Sequence, residues 1–360
     1  MINVTKPFLP PQEEYNHYLR GIWSRTWLTN NGPLVNELEL TLKNYFSVPH
    51  LFFVSNGTIA LQLAIKALGL QGEIITTPFS FVATTSSIVW EGCTPVFVDI
   101  DPTTYNIDPK LIEAAITPHT TAILATHVFG NPCAVQEIAA IAARHKLRVI
   151  YDAAHAFGTQ YQGRSVLHQG DISTLSFHST KLFHTIEGGA LITHNADLAN
   201  TIAHMRNFGF HGPETFQGVG INGKNSEFHA AMGLCNLKYV GQILARRQEL
   251  TEVYHQMLKP LQAGTPFLRP NAGFNYAYYP VLFDNEAVLL KMIEALHGVY
   301  VYPRRYFYPS LEKLSYVRPG QQMCASSNIA SRVLCLPLYH ELSVEEVKMI
   351  CRAILRADRY

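Results

Sequence analysis

The segment 120-TTAILATHVFGNPCAVQEIAAIAARHKLRVIYDAAHAFG-158 decides the fold. Its apolar spacing predicts a strand over Ala122–Thr126, a helix over Val135–His145 and a strand over Arg148–Tyr151. A strand, a helix and a second strand in this order form a unit whose two strands run parallel. Ligands of such sheets bind beyond the carboxyl ends of the strands. We therefore expect Asp152, which follows the second strand, to face a site.

The same alternation extends on both sides of this segment, and it predicts an α/β fold with a mostly parallel central sheet covered by helices. The further predicted elements are helices over Leu34–Phe46, Thr58–Leu68, Val82–Trp90 and Asp108–Ile116, and strands over Glu73–Thr76 and Pro95–Asp99. Gly69 is placed as a helix stop. We expect a large domain over residues 1–225, and a connecting helix with a smaller C-terminal α+β domain over residues 226–360.

Composition excludes several classes of function. The chain has 360 residues, 48% of them hydrophobic, and a formal net charge of +1. This balance argues against nucleic acid or an anionic membrane as a partner. The six cysteines form no CxxC pair, so neither a metal site nor a disulfide framework is expected. The N-terminus lacks a signal-peptide pattern and no run of about 20 apolar residues occurs, which predicts a cytoplasmic location.

Two segments carry patterns that suit a phosphate and an aromatic ring. Small residues in 55-SNGT-58 begin a predicted helix, where backbone N–H groups can bind a phosphate, although an ordinary helix cap has the same pattern. In 151-YDAAHAFG-158 the Asp152 carboxylate is followed by small residues that leave room for a planar ligand. If the ligand is a pyridine, Asp152 keeps its nitrogen protonated. His155 would contact the ring or its phenolic oxygen, or be a hydrogen-bonded core histidine.

A third segment, 176-SFHSTK-181, is followed by 187-EGGA-190 and contains an isolated lysine. Lys181 is the one lysine or arginine between Val166 and Thr201. A partly desolvated lysine has a lowered pKa and attacks carbonyl groups, whereas a solvated lysine has no such role. Ser176 could donate to a phosphate. A fourth segment, 220-GINGKNSE-227, is typical of a turn and could also lend Asn222 to a neighbouring site.

Together these segments resemble the DegT/StrS family of sugar aminotransferases, within the aspartate-aminotransferase-like fold-type I of pyridoxal 5′-phosphate enzymes. The resemblance covers essentially the whole chain. Besides the segments above, it rests on 27-WLTNNGP-33, 78-PFSFVAT-84 and 99-DID-101.

The resemblance implies a role for each matching residue. Lys181 would bond covalently to the cofactor and move a proton, and Asp152 would pair with the pyridinium nitrogen. The other implied cofactor contacts are the phosphate ligands Gly57, Thr58 and Ser176, the ring contacts Phe81 and His155, and Asn222 from the second subunit. The family pattern therefore implies a homodimer with shared active sites.

The sequence departs from the usual family pattern around these residues. His155 replaces a frequent glutamine, and Lys224-Asn225 replaces arginine followed by methionine. Two histidines, His178 and His184, flank Lys181, as in the subgroup that acts on dTDP-4-keto-6-deoxyhexoses.

This finer resemblance implies a ping-pong transfer of nitrogen from L-glutamate to the 4-keto carbon of dTDP-4-keto-6-deoxy-D-glucose, giving dTDP-4-amino-4,6-dideoxyglucose. Candidate substrate contacts, placed by family resemblance, are His184, Arg206, Asn207 and Tyr306. The usual setting is the synthesis of O-antigen and lipopolysaccharide.

There are three alternatives to the 4-keto-sugar aminotransferase interpretation. The first is a 3-keto-sugar aminotransferase acting on a dTDP- or UDP-linked substrate. A sugar dehydratase of the same family is disfavoured because those enzymes replace the lysine with histidine, whereas Lys181 is present. A non-catalytic regulator is disfavoured because the predicted cofactor residues are all retained.

Overall fold

The computed structural model describes residues 1–261 and 263–359. Its α-helices are α1 (Gln12–Arg25), α2 (Pro33–Phe46), α3 (Gly57–Ala67), α4 (Val82–Trp90), α5 (Pro109–Ile112), α6 (Val135–His145), α7 (Ala196–Met205), α8 (Glu227–Leu237), α9 (Val240–Leu258), α10 (Glu286–His297), α11 (Cys324–Arg332) and α12 (Val344–Arg359). Among these described residues, none of the helices has the length and apolar character needed to cross a membrane.

The strands form one large sheet and three small ones. Their bounds are β1 (Ile2–Asn3), β2 (His50–Val54), β3 (Glu73–Thr76), β4 (Thr94–Phe97), β5 (Thr120–Thr126), β6 (Arg148–Asp152), β7 (Gln160–Tyr161), β8 (Arg164–Ser165), β9 (Ile172–Ser176), β10 (Gly189–Thr193), β11 (Ala272–Gly273), β12 (Tyr279–Leu282), β13 (Val301–Tyr302) and β14 (Val333–Leu336).

The large sheet has seven strands in the order β2-β10-β9-β6-β5-β3-β4. The five strands from β9 to β4 are parallel to one another, and β10 is antiparallel to both of its neighbours. Alternate residues of a strand face opposite sides of a sheet. Accordingly, Ile74 packs into the core beneath α3, α4 and α7, and Ile75 into the core beneath α2, α6 and α8. The predicted α/β class, with helices on both faces, is confirmed.

Most predicted elements agree with the structure to within two residues, but the helix predicted to end near Ile116 is shorter. Its α-helical part ends at Ile112, and a 3₁₀ turn covers Glu113–Ala115. Ile116 is extended, with ψ 129°. The proline at position 118 disfavours helical geometry in the residue before it, so the chain leaves the helix early to enter β5.

A second hydrophobic core lies in the C-terminal part of the chain. It is built from α9, α10, α12, β12 and β14, and it includes Ile2, because β1 pairs with β13. By contrast, Tyr306, Phe307 and Ile329 pack into the core of the large sheet, as do Ala231 and Leu234 of α8. The two cores therefore draw on both parts of the chain: β1 packs with the C-terminal core and α8 with the core of the large sheet, and the domain boundary at residue 225 stays a prediction.

The Glu227 carboxylate holds three helices together beneath the large sheet. Pro33 begins α2 and has no N–H. The N–H groups of the next two residues lie in the first turn, where the helix offers no carbonyl to accept from them, so they need acceptors from outside the helix. Glu227, fully buried at the start of α8, accepts from Leu34 N at 3.0 Å and from Val35 N at 2.9 Å. The Arg25 guanidinium of α1 lies 3.7 Å from the same carboxylate.

We expect Glu227→Ala to destabilise the protein strongly. The change leaves two buried N–H donors without acceptors, and each costs about 1–3 kcal/mol. The free energy of unfolding from urea titration measures the effect. Glu37→Ala, on the exposed side of α2, is the matched control and should change stability by less than about 0.5 kcal/mol. Equal stability of the two variants would contradict a capping role for Glu227.

Candidate active site

A cavity of about 240 Å³ opens at the carboxyl ends of β5, β6 and β9. Register places Thr126 beside Asp152 and Asp152 beside Thr174, so the parallel strands end together there. The cavity is lined by eight of the twelve residues predicted for the site, namely Gly57, Thr58, Phe81, Asp152, His155, Ser176, Lys181 and Tyr306. The structure thus brings together side chains from distant parts of the chain.

Asp152 is buried at the end of β6 and is held by two hydrogen bonds. Its Oδ2 accepts from Thr84 Oγ1 at 2.7 Å, and its Oδ1 accepts from Ala154 N at 3.1 Å. Burial raises the pKa of the carboxyl group, whereas these two hydrogen bonds and the Lys181 charge lower it. A buried carboxylate with oriented oxygens is suited to a cationic N–H group in the cavity.

Lys181 lies in the turn between β9 and β10 and reaches into the same cavity. Its Nζ donates to Tyr278 Oη at 3.4 Å. Burial lowers the pKa of the ammonium group, and the nearby Tyr306 and Asp152 oppose this shift. Burial also raises the pKa of Tyr306 to about 12, so its hydroxyl stays protonated at neutral pH. Lys181 is therefore a nucleophile whose neutral amine forms more readily than that of a solvated lysine.

The start of α3 forms the opposite side of the cavity. The first N–H groups of a helix have no partner within it, and Asn56 Oδ1 caps only Ile59 N. A Cβ at Gly57 would lie 2.9 Å from Ser176 Cβ, so glycine is needed where the helix approaches β9. Thr58 and Ser176 add hydroxyl groups to the same corner. This arrangement fits a phosphate.

We expect Gly57→Ala to weaken binding of a phosphate-bearing cofactor by roughly tenfold or more. The added methyl group forces Ser176 away, and overpacking of this kind costs about 1–3 kcal/mol. Equilibrium dialysis of pyridoxal phosphate measures the change. Gly241→Ala is the control, because a Cβ there meets no atom within 4 Å. If Gly57→Ala bound pyridoxal phosphate with unchanged affinity, the phosphate would not bind at this corner of the cavity.

His155 is buried against the aromatic wall of the cavity. Its ring is nearly parallel to that of Phe307, with centroids 5.4 Å apart. Its Nδ1 accepts from Phe129 N at 3.3 Å, and burial holds the imidazole pKa well below its usual range. A neutral imidazole that accepts at Nδ1 carries its proton on Nε2. His155 is thus both a core histidine and a donor beside the cavity.

The remaining four predicted residues do not line this cavity. His184 is buried, where its Nε2 contacts Phe8 O at 2.7 Å and its backbone oxygen accepts from Asn236. Arg206 is buried against Glu39 and the Phe53 carbonyl. Both polar groups are thus engaged in contacts inside the protein, and their role as substrate contacts stays a prediction.

Asn207 and Asn222 form a β-bridge with each other, away from the cavity of their own protomer. Asn222 is exposed and accepts from Lys224 Nζ at 2.6 Å. Its contact with a partner's cofactor stays a prediction.

Three residues at or behind the cavity wall were not predicted from the sequence: Arg304 lines the cavity, whereas Tyr278 and Thr84 contact the lining residues Lys181 and Asp152. Tyr278 contacts Lys181 although the two residues are 97 positions apart in the sequence, and Thr84 contacts Asp152 across 68 positions. Arg304 lies exposed at the cavity mouth with its guanidinium 4.5 Å from the centroid of the Tyr306 ring. Of these three residues, only Thr84 could have been found from the sequence, because it ends the segment 78-PFSFVAT-84 that resembles the family.

Candidate metal ligands do not cluster in the described part of the chain: no group of three or more His, Cys, Asp or Glu side chains could hold an ion. The cavity instead offers a helix start and hydroxyl groups for a phosphate, a buried carboxylate and a nucleophilic lysine. Pyridoxal phosphate has a phosphate, a ring nitrogen and an aldehyde to match these three features. The residues present therefore fit this cofactor.

Two curated relatives of the chain are named as transaminases of a dTDP-linked sugar. The dTDP-4-amino-4,6-dideoxy-D-glucose transaminase of Shigella dysenteriae is 44% identical over 361 residues, covering 98% of both chains. The Escherichia coli transaminase of the same name is 41% identical over 98% of both chains.

Solved structures of similar proteins share the whole architecture. The crystal structure of DesI in the presence of its TDP-sugar product superposes with a TM-score of 0.94 and 34% identity, covering 99% of this chain and 93% of that one. NtdA from Bacillus subtilis, with bound cofactor PMP, has a TM-score of 0.89 and 29% identity, covering 97% of this chain and 82% of that one.

The family model of the DegT/DnrJ/EryC1/StrS aminotransferases matches residues 11–355. The predicted family, the predicted enzyme class and pyridoxal phosphate as the cofactor are confirmed. The chain belongs to the DegT/DnrJ/EryC1/StrS aminotransferase family.

Proposed function

We propose that the protein transfers the amino group of L-glutamate to the 4-keto carbon of dTDP-4-keto-6-deoxy-D-glucose, giving dTDP-4-amino-4,6-dideoxyglucose. The observation that carries this proposal is the 44% identity, along 98% of both chains, to the Shigella dysenteriae transaminase named for that product. A cavity that gathers the carboxylate, the lysine and the phosphate corner supports it. An O-antigen or lipopolysaccharide pathway and a cytoplasmic location stay predictions.

Several residues of the chain each have a separate role in the proposed reaction. When bound, the cofactor withdraws electrons from the carbon beside the transferred nitrogen and carries that nitrogen between the two substrates. Asp152 keeps the ring nitrogen protonated. Lys181 would hold the cofactor covalently, and its amine would carry the proton to and from the substrate carbon. Gly57, Thr58 and Ser176 bind the phosphate, and Phe81 packs on the ring.

The aromatic side of the cavity orients these groups and excludes water. His155 donates from Nε2 to the phenolic oxygen of the ring. The Tyr278 hydroxyl, whose pKa burial raises, stays protonated and keeps Lys181 Nζ pointed into the cavity. Tyr306 lies beside Lys181 and contacts the substrate, and Arg304 at the mouth provides a positive charge for an anionic substrate.

The test is an absorbance spectrum of the protein loaded with pyridoxal phosphate. Adding L-glutamate should remove the absorbance band of the lysine-bound cofactor, and adding dTDP-4-keto-6-deoxy-D-glucose should restore it. Mass spectrometry and NMR of the sugar product then identify the aminated carbon. No spectral change with either substrate would overturn the proposal.

A second candidate is amination of a 3-keto sugar linked to dTDP or UDP. The UDP-2-acetamido-2-deoxy-3-oxo-D-glucuronate aminotransferase of Pseudomonas aeruginosa is 34% identical over 90% of both chains. The same titration separates the two candidates, because only the substrate with the correct keto position restores the band of the lysine-bound cofactor. The dehydratase and the regulator stay disfavoured by the lysine and the complete cavity.

We also propose a homodimer in which Asn222 of each protomer reaches the partner's cofactor phosphate. Asn222 lies on an exposed segment that carries apolar side chains in solvent, which is unusual for a surface that stays uncovered. These side chains are Phe208, Phe210, Phe216, Val219 and Ile221.

Mixing two inactive variants tests the shared site. Lys181→Ala and Asn222→Ala each damage a different half of the site, so a mixed dimer contains one intact site. Unfolding the two together and refolding them in equal amounts should restore about a quarter of wild-type activity, because half of the dimers are mixed. Each variant refolded alone is the control. No recovery, with dimers confirmed by light scattering, would place Asn222 outside the partner's site.

A further inference from the structure

A chain of three buried hydroxyl groups ends on the Asp152 carboxylate. Thr84 Oγ1 lies 2.7 Å from Asp152 Oδ2, Ser80 Oγ lies 2.7 Å from Thr84 Oγ1, and Thr126 Oγ1 lies 3.0 Å from Ser80 Oγ. Every one of these side chains is at most 5% exposed. Water therefore has little access to replace any of the hydroxyl groups.

The direction of the hydrogen bonds in this chain follows from the carboxylate. An ionised carboxylate only accepts, and a hydroxyl has one proton to donate. Thr84 must give its proton to Asp152, so Ser80 must donate to Thr84, and Thr126 must donate to Ser80. All three hydroxyl dipoles then point towards Asp152 and stabilise its negative form. Hydrogen bonds in such chains polarise and strengthen one another.

We propose that Thr84, backed by Ser80 and Thr126, is a positioning residue that keeps the proton of the Asp152–cofactor pair on the ring nitrogen. A carboxylate that accepts a strong hydrogen bond is a weaker base, so the proton it shares with the pyridine lies on the nitrogen side. Without Thr84 the proton moves towards the carboxylate, and both partners become neutral. This inference rests on the pairing of Asp152 with the cofactor ring.

Thr84 and its neighbour Thr85 form a matched pair for the test. Both side chains are fully buried on α4, but the Thr85 hydroxyl has no hydrogen-bond partner among the described residues. Thr84→Val and Thr85→Val remove the same atom from adjacent positions with little change in shape. Thr84→Ser keeps the hydroxyl and should restore the wild-type behaviour.

The readout is the ¹⁵N chemical shift of labelled pyridoxal phosphate bound to each variant at neutral pH. Wild type, Thr85→Val and Thr84→Ser should give the shift of a protonated ring nitrogen. Thr84→Val should move the shift towards that of a neutral pyridine and weaken cofactor binding several-fold, and Ser80→Ala should give a smaller shift in the same direction. Thermal melts confirm that each variant is folded.

Asp152→Asn separates failure of this inference from failure of the pairing. If Asp152→Asn changes the ¹⁵N shift and Thr84→Val leaves it as in Thr85→Val, the role of Thr84 is refuted and the pairing stands. If neither Asp152→Asn nor Thr84→Val changes the shift, Asp152 does not pair with the ring, and both proposals fall.

Discussion

Lys181→Ala is expected to abolish transamination, with a loss of kcat on the order of 10⁴-fold or more. General acid–base catalysis by one positioned side chain contributes about 10²–10⁴-fold, and here the same amine also holds the cofactor covalently. Among the described residues of the same protomer, no second lysine lines the cavity to replace it. Steady-state kinetics with saturating pyridoxal phosphate measures the loss.

Covalent attachment gives a readout independent of activity. After borohydride reduction, mass spectrometry should find the cofactor on the peptide containing Lys181 in wild type and on no peptide in Lys181→Ala. Lys66→Ala, an exposed position on α3, is the control and should behave as wild type. Cofactor found on another lysine of wild type would contradict the assignment.

The pH dependence of attachment follows from the direction of the Lys181 pKa shift. Burial lowers the pKa of this ammonium group, so its neutral amine is present at lower pH than that of a solvated lysine. In the cofactor-free protein, pyridoxal phosphate should therefore attach to Lys181 at a lower pH than it attaches to a free lysine in solution.

The sequence predicts the parts of the fold whose patterns are local. The alternation between Glu73 and Tyr151 predicts four of the five parallel strands, since short apolar runs alternate there with helical patterns. Strands β2, β9 and β10 were not predicted, although they complete the sheet around Lys181. β10 is buried along its whole length, and a short run without exposed positions shows no period-two alternation.

The same contrast applies to the site. Asp152 and Gly57 lie at the ends of predicted elements, where position within a unit of strand and helix predicts the edge that they face. Tyr278 and Arg304 approach from the C-terminal part of the chain, and only tertiary packing brings them to the cavity. His184 and Arg206 lie outside the cavity, buried among partners that the sequence does not reveal, so their predicted substrate contacts stay predictions.

Asp152→Asn is expected to lower kcat by about 10²–10³-fold, the usual cost of removing one preorganised electrostatic contact to a developing charge. A neutral amide does not hold a proton on the ring nitrogen, so the ring withdraws electrons less strongly while Lys181 and the phosphate contacts remain. Single-turnover measurements of the glutamate half-reaction isolate this step. Asp197→Asn, exposed on α7, is the control and should retain full activity.

The hydroxyl chain explains why this loss should reflect charge and not misfolding. If the amide NH₂ of Asp152→Asn faces Thr84, the Thr84 hydroxyl can accept from it and donate to Ser80, which in turn donates to Thr126. The whole chain reverses, and the amide oxygen still accepts from Ala154 N. Every buried polar group keeps a partner, so the melting temperature should change little. A variant that melts normally but keeps kcat within a few-fold of wild type would show that Asp152 does not make the ring an electron acceptor.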